Sequence, residues 1–557
     1  MNAMLDRNTA IWTGLWLVLM ATALLTRPLL PVDETRYLAV AWEMWRDGDF
    51  LVPHLNGETY SHKPPLLFWL FHAGWAVFGV NDWWPRLVAP LFGLGSLFLS
   101  VVLAKRLWPD NDRLAALTPF ILLGCVFWTL FTTLTMFDML VTFFTLVGLI
   151  GIVIAWRARI DGASLLPGFA VLTLGIGFGL LAKGPAILLH TLPVAFMAPL
   201  WGPHLAALPD PPKPGRAFAW NAGILAATLI GAAIVLAWAL PAAKAGGEEY
   251  ANAIFWGQSA GRMVDSFAHN RPWWWYLAVL PPLTLPWVIW PRLWRALKTV
   301  GRSGFSDGGV RFCLCWFLPA FVAFSLISGK QLHYLLPDFP ALAMIFAFAL
   351  TTSPETTTHA ETDGLKRSLR LPAGFFVVLG LAAFAALFVL SPKLQIRYDG
   401  LATPWAAAIV AAGLLVIALP AADLRRSIVS LTGLSAVLVV TAHLIAMPML
   451  ERNYAISGIA KKLGEWERQG IHLANMNKYH GEYNFLGRLK NPSTVIGDHE
   501  PDMDIWMHAF PNGKAVSYHY TLPTGAKPVY VQPFKGKFIA VWESETMRAH
   551  PDIVRRN

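Results

Sequence analysis

The chain has 557 residues, 55% of them hydrophobic and only 14% charged, with a formal net charge of +10 and a positive mean hydropathy. That balance excludes a soluble globular protein. Apolar runs of about 18 or more residues, each able to cross ~30 Å of hydrocarbon, recur along most of the length and point to an all-α polytopic membrane protein. A β-barrel would need alternating strands of about ten residues, which are absent. The basic excess is ordinary for the inner loops of membrane proteins, so nucleic acid is not an expected partner.

In chain order, the first apolar run, 11–30, is too long for a signal-peptide core and lacks a small-residue cleavage site, which predicts a retained anchor. Further spans are expected at 87–104, 114–134, 138–156, 165–182, 185–201, 219–240, 273–290, 312–328, 334–351, 371–390, 404–420 and 427–448, making thirteen with the first. The run 65–80 follows Pro64 and is interrupted by His72 and Gly74. Its placement decides the sidedness of everything after it. If it lies along the interface, then Lys105, Arg106, Arg113, Arg157, Arg159, Lys213, Arg216, Arg292, Arg295, Lys298, Arg302, Lys366, Arg367, Arg370, Arg425 and Arg426 all fall on the cytoplasmic side. Basic loops prefer that side, so 65–80 is read as an interfacial helix. The N-terminus is then cytoplasmic. Segments 31–86, 135–138, 183–184, 241–272, 329–333 and 391–403 face outward, as does everything beyond about 450.

From about 450 the polarity becomes mixed, with a helical run at 456–468 and strand-like runs at 529–533 and 537–542. The expected organisation is a transmembrane domain over 1–449, with interfacial helices in its outer loop 31–86, and a small periplasmic α/β domain over 450–557. Cys125, Cys313 and Cys315 all sit in or beside apolar runs and imply no disulfide framework. No internal repeat is visible.

Ionisable residues gather on the expected outer face. Asp33 and Glu34 follow the first span and open an amphipathic run with apolar Tyr37, Leu38, Ala41, Met44 and Trp45. Asp33 suits an N-cap or a reacting acid, and the two roles are compatible. Asp47 and Asp49 read as turn residues. Asp138 stands between two apolar runs, where an acid is costly unless it meets water or a partner. Lys63 (YSHKPP), Lys183 (LLAKGPA) and Lys330 (SGKQLHYLLP) lie beside residues that keep the backbone open. Each alone suits a snorkelling lysine; together on the outer face they suit a phosphate site, with Arg262 and His269 as further candidates. Arg36, one turn from Asp33, suits either a phosphate or a neighbouring acid. Trp83, Trp84 and Trp273–Trp275 read as an interfacial belt. Nucleotide-binding, zinc-protease and serine-hydrolase motifs are absent.

The segments DETRY, GDFLVPHLNGETYSHKPPLLFW, LLAKGP and SGKQLHYLLPDFPALAM, in this order over roughly residues 10–350, closely resemble the bacterial lipid A aminoarabinose transferases. They also resemble related transferases of the protein O-mannosyltransferase family (glycosyltransferase family 39). The resemblance implies a GT-C fold in the bacterial inner membrane and a sugar donor carried on polyprenyl (undecaprenyl) phosphate. It implies an acceptor that is lipid A, another envelope glycan or a protein. By motif, Asp33 would be the base or the acid that orients the acceptor hydroxyl, and Asp138 the second acidic position. Arg36, Lys63, Lys183, Arg262, Lys330 and Tyr334 would hold the donor phosphate. Glu34, His62, Gln258 and His269 would line the substrate site. His62 stands where these transferases commonly carry glutamate, and Gln258 where they often carry histidine. The family's glutamate would offer a carboxylate to a metal or an aminosugar; His62 in its place weakens both expectations, and aminoarabinose is not the expected sugar. No cofactor is implied firmly, and a divalent metal stays open.

Two other classes compete. A transporter or flippase of lipid-linked sugars would place ionisable groups near the midplane, often in inverted repeats. An inactive assembly subunit would keep the fold and have no need of Asp33, Lys63 and Lys183 together.

Overall fold

In hydrocarbon every backbone N–H and C=O must be satisfied within the segment, so the apolar runs fold as helices wherever proline permits. A computed structural model describes residues 2–205, 216–257, 270–352, 359–393, 403–421, 423–476, 478–496 and 500–553. Nine helices among the described residues are long and apolar enough to cross a membrane, rising to 11 if each of two bent pairs is one span. The nine fall on the expected spans 11–30, 87–104, 138–156, 165–182, 219–240, 312–328, 334–351, 371–390 and 427–448.

The remaining four expected spans depart from a straight crossing. Run 114–134 forms Asp112–Gly124 and Val126–Thr132, bent by 75°, and 185–201 bends by 51° between Ala186–Phe196 and Ala198–His204. The second break comes just past Pro193, which cannot donate to the preceding turn. Run 273–290 yields only the helix Trp275–Leu283 and a 3-10 turn at Trp287–Ile289. Pro281, Pro282 and Pro286 remove three donors there. Run 404–420 gives the 16-residue helix Thr403–Ala418.

The elements that carry candidate residues are α1 (Asn2–Thr26), α2 (Asp33–Asp47), α3 (Leu66–Phe78), α4 (Trp83–Leu107), α5 (Asp112–Gly124), α6 (Val126–Thr132), α7 (Asp138–Asp161), α8 (Leu166–Lys183) and α9 (Ala186–Phe196). At 13 residues, α3 is about 20 Å long and too short to span. The chain packs as two compact units. The first comprises Met1–Leu25, His62–Leu67 and Asp82–Ile445; the second comprises Thr26–Ser61, Phe68–Asn81 and Ala446–Asn557.

In the first unit α7 and α8 form an antiparallel pair whose turn carries Gly162 in the left-handed region at φ +75°. Glycines let the backbones touch. A Cβ on Gly151 would stand 2.6 Å from the Gly168 carbonyl oxygen, and one on Gly175 would stand 2.6 Å from the Gly148 nitrogen. Helices that lack a hydrophobic driving force between them associate through such small-residue faces.

The second unit is built on a five-stranded sheet in the order β4-β3-β5-β7-β6. Its strands are β3 (Leu473–Met476), β4 (Thr494–Ile496), β5 (Lys514–His519), β6 (Tyr530–Phe534) and β7 (Lys537–Glu543). A two-stranded hairpin of β1 (His54–Leu55) and β2 (Glu58–Thr59) precedes it in the chain. β3 runs parallel to β4 and β5, whereas β7 is antiparallel to β5 and β6. Alternation along β7 sends Ile539 and Val541 to one face, with Ile459, Leu463 and Val516. Ala540 and Trp542 go to the other, with Met476, Trp506 and Met547. Helix Ser457–Arg468 and strands β6 and β7 match the expected helix and strands, while β3, β4 and β5 were not foreseen.

Residues 26–61 and 68–81 are part of this second unit. Trp42 Nε1 donates to Leu489 O at 2.9 Å, and Trp75 stacks on Phe485 at 5.4 Å between centroids. Buried Glu43 accepts from Asn56 N, Gly57 N and Asn484 Nδ2 at 2.6, 2.9 and 2.8 Å.

Candidate active site

Asp138 is the first residue of α7 and Lys183 the last of α8. An anion at a helix N-terminus and a cation at a C-terminus are each favoured by the helix dipole, so antiparallel packing brings two dipole-matched charges to one end of the pair. Lys183 Nζ donates to Asp138 Oδ1 at 2.6 Å, with the carboxylate buried and the lysine partly exposed. Gly184, at φ +76°, ends α8 immediately after the lysine in a backbone state that L side chains rarely adopt. Tyr334 turns its ring to the same ammonium, 5.0 Å from centroid to Nζ. Lys63 Nζ lies 5.7 Å from the Phe137 ring, and both Lys63 and His333 act on the Asp138 carboxylate electrostatically. One carboxylate facing two ammoniums leaves positive charge in excess, the condition for holding a phosphate.

In the second unit Asp33 is the first residue of α2, and Val32 is the N-cap. Asp33 therefore stands one position inside the cap and is not itself the N-cap. Its carboxylate pairs with Arg36 and is 54% exposed, open to an incoming group. Glu34 beside it is committed to structure. Its carboxylate accepts from both terminal nitrogens of Arg27 and from Leu30 N at 2.9 Å, tying the chain that enters α2. Asp49 acts as expected of a turn residue, accepting from Leu51 N and Val52 N at 2.8 and 3.1 Å.

Glu482 lies within electrostatic reach of Arg36 and Lys535, and its Oε2 accepts from His480 N at 2.8 Å. Burial pushes the Glu482 carboxyl above its ordinary range, against the pull of those partners.

The other expected residues are placed as follows. Lys330 is buried, its ammonium donating to Arg271 O and Ile327 O at 2.9 and 2.5 Å. It thereby satisfies the Ile327 carbonyl, at the C-cap of helix Gly308–Leu326. His62 is exposed and belongs to the first unit. Gln258, Arg262 and His269 lie outside the described residues. Among the described residues no three His, Cys, Asp or Glu side chains gather as a metal site.

Five further residues, not singled out in the sequence, carry contacts of note. His333 adjoins Tyr334 in the same motif, and that adjacency was a usable signal. Glu482 and Lys535 lie more than 440 positions from Asp33, and nothing local marks them. His190 and Asp338 form a fully buried pair, Nδ1 to Oδ1 2.8 Å, between helix α9 and the 3-10 segment Leu332–Asp338. All three cysteines are free and buried, as expected.

Comparison with known proteins gives the family. The chain is 30% identical over 421 residues, 72% of each sequence, to an undecaprenyl phosphate-α-4-amino-4-deoxy-L-arabinose arabinosyl transferase of Pseudomonas fluorescens. The chain belongs to this family. A second member, from Pseudomonas paraeruginosa, is 31% identical over 367 residues, covering 65% of this chain and 62% of the relative. No family model matches. The fold agrees with that of ArnT from Cupriavidus metallidurans in the apo state, at a TM-score of 0.69 and 17% identity over 96% of this chain and 98% of that one. The same enzyme bound to undecaprenyl phosphate gives 0.67 at 18% identity over 96% and 97%. The arabinosyl transferase family places the chain among multi-pass inner-membrane glycosyltransferases with the GT-C fold.

Proposed function

We propose that the chain moves a sugar from undecaprenyl phosphate to lipid A at the outer face of the inner membrane, with inversion at the anomeric carbon. The acceptor oxygen attacks the anomeric carbon as the bond to the phosphate oxygen breaks. The acceptor proton passes to the Asp33 carboxylate, and undecaprenyl phosphate departs with the bonding pair. Lys183 and Lys63 hold the phosphate and stabilise the charge it gains. An ammonium carries three donors, and Asp138 takes only one of those of Lys183. Asp138 and Tyr334 fix that ammonium in place. Arg36 holds the Asp33 carboxylate aimed until substrate enters.

The observation that carries this reading is the Asp138–Lys183–Tyr334 cluster, reinforced by Lys63. The relatives' names make 4-amino-4-deoxy-L-arabinose the first sugar to try, although His62 and Gln258 replace side chains common in such transferases.

The test is reconstitution of the full chain with that undecaprenyl phosphate-linked sugar and lipid A, followed by mass spectrometry of the lipid A. Transfer by the wild type and loss of at least about a hundredfold by Asp33→Asn are expected, as for removal of a general base. An Asp33→Asn variant that turns over normally would remove the assignment of Asp33.

A further inference from the structure

The β6–β7 hairpin has a two-residue loop, because Phe534 pairs directly with Lys537. Both loop residues take positive φ, Lys535 at +48° and Gly536 at +77°. Such a primed turn favours Asn, Asp or Gly at its first position, and a lysine there is a poor choice for folding alone. Its ammonium reaches back across the sequence to donate to the Pro31 carbonyl at 3.1 Å, two residues before Asp33. Its backbone N–H donates to Asn453 O at 3.0 Å, so the turn is anchored on both sides. The ammonium also lies over the Phe534 and Tyr454 rings, 5.1 and 5.8 Å from their centroids. Glu482 and Asp33 are the carboxylates that act on it.

We propose that Lys535 is a positioning residue for sugar transfer, through which the C-terminal sheet fixes the start of α2 and hence the Asp33 carboxylate. The bond to Pro31 O sets where the chain enters α2. The positive charge counters Glu482, whose own charge would otherwise bear on the Asp33–Arg36 pair. A side chain unfavourable for its turn is thereby explained by what it holds. This rests on the role given to Asp33 above.

The test compares full-length Lys535→Asn, Lys535→Arg and Asp33→Asn with wild type, using undecaprenyl phosphate-linked 4-amino-4-deoxy-L-arabinose and lipid A. Asparagine suits the left-handed turn, so Lys535→Asn keeps or raises the melting temperature. Its kcat falls about ten- to a hundredfold, the scale of a misplaced reacting group, while KM for the donor changes little. Lys535→Arg, equally strained in the turn but cationic, recovers most of the rate. Wild-type kcat in Lys535→Asn overturns the proposal, as does a loss that Lys535→Arg fails to restore. If Asp33→Asn is inactive while Lys535→Asn is normal, only the proposal about Lys535 falls. If Asp33→Asn is active, the reading of the site falls and this proposal with it.

Discussion

At the residue scale, chemistry and structure are separated by what each charge touches. Glu34 and Lys330 have their polar atoms engaged by Arg27 and by backbone groups, whereas Asp33 pairs with Arg36 and keeps an exposed face. His72 shows the same logic away from the reaction. It lies among Trp45, Phe50 and Trp75, with Nε2 donating to Ala41 O at 2.8 Å. Burial lowers its pKa from 6.5 to about 4, so it is neutral in the fold while the unfolded chain gains a proton below about 6.5. The stability it contributes is fully present above pH 6.5 and is lost as the pH falls toward 4, by up to about 3 kcal/mol. Melting temperatures of the full chain measured across that window are expected to drop less steeply in His72→Phe than in wild type. Equal slopes would show that His72 is not the titrating group.

At the element scale, the cluster proposed to hold the phosphate depends on how closely α7 and α8 approach. Asp138 and Lys183 sit 45 positions apart, and their meeting is set by the glycine faces between the helices. Gly151→Leu would drive a side chain into the Gly168 carbonyl, and overpacking of this kind costs about 1–3 kcal/mol or more. The expected result is a lower melting temperature together with weaker retention of undecaprenyl phosphate. Gly14→Leu is the control, because nothing lies within 4 Å of a Cβ there. Equal behaviour of the two variants would separate helix packing from phosphate binding. Proline sets the other departures at this scale. Spans that look continuous by hydropathy are broken where backbone donors are missing, as at Pro281, Pro282 and Pro286.

At the scale of the whole molecule, the outer segment expected to belong to the membrane domain folds with the C-terminal chain. Residues 26–61 and 68–81 share a compact unit with 446–557, and Trp42, Glu43 and Trp75 find their partners there. Removal of 446–557 is expected to leave the spanning helices inserted and to make 26–61 and 68–81 sensitive to added protease. Protection equal to that of the full chain would show that these segments hold their structure alone. The C-terminal region is thus part of the scaffold for α2 as well as a domain with its own core.

The sequence by itself determined that the chain is a multi-pass helical membrane protein and where most helices run. Apolar length and the demand for internally satisfied backbone bonds are local properties that can be read residue by residue. It also pointed to the transferase family through short motifs carrying Asp33, Lys63, Lys183 and Tyr334. Only the tertiary structure decided that Lys183 meets Asp138, that Glu34 and Lys330 are held by structural contacts, and that Lys535 reaches Pro31. The first and last of these join positions 45 and 504 apart and follow from how helices and strands pack, while Glu34 and Lys330 are engaged largely by near neighbours whose geometry hydropathy does not specify.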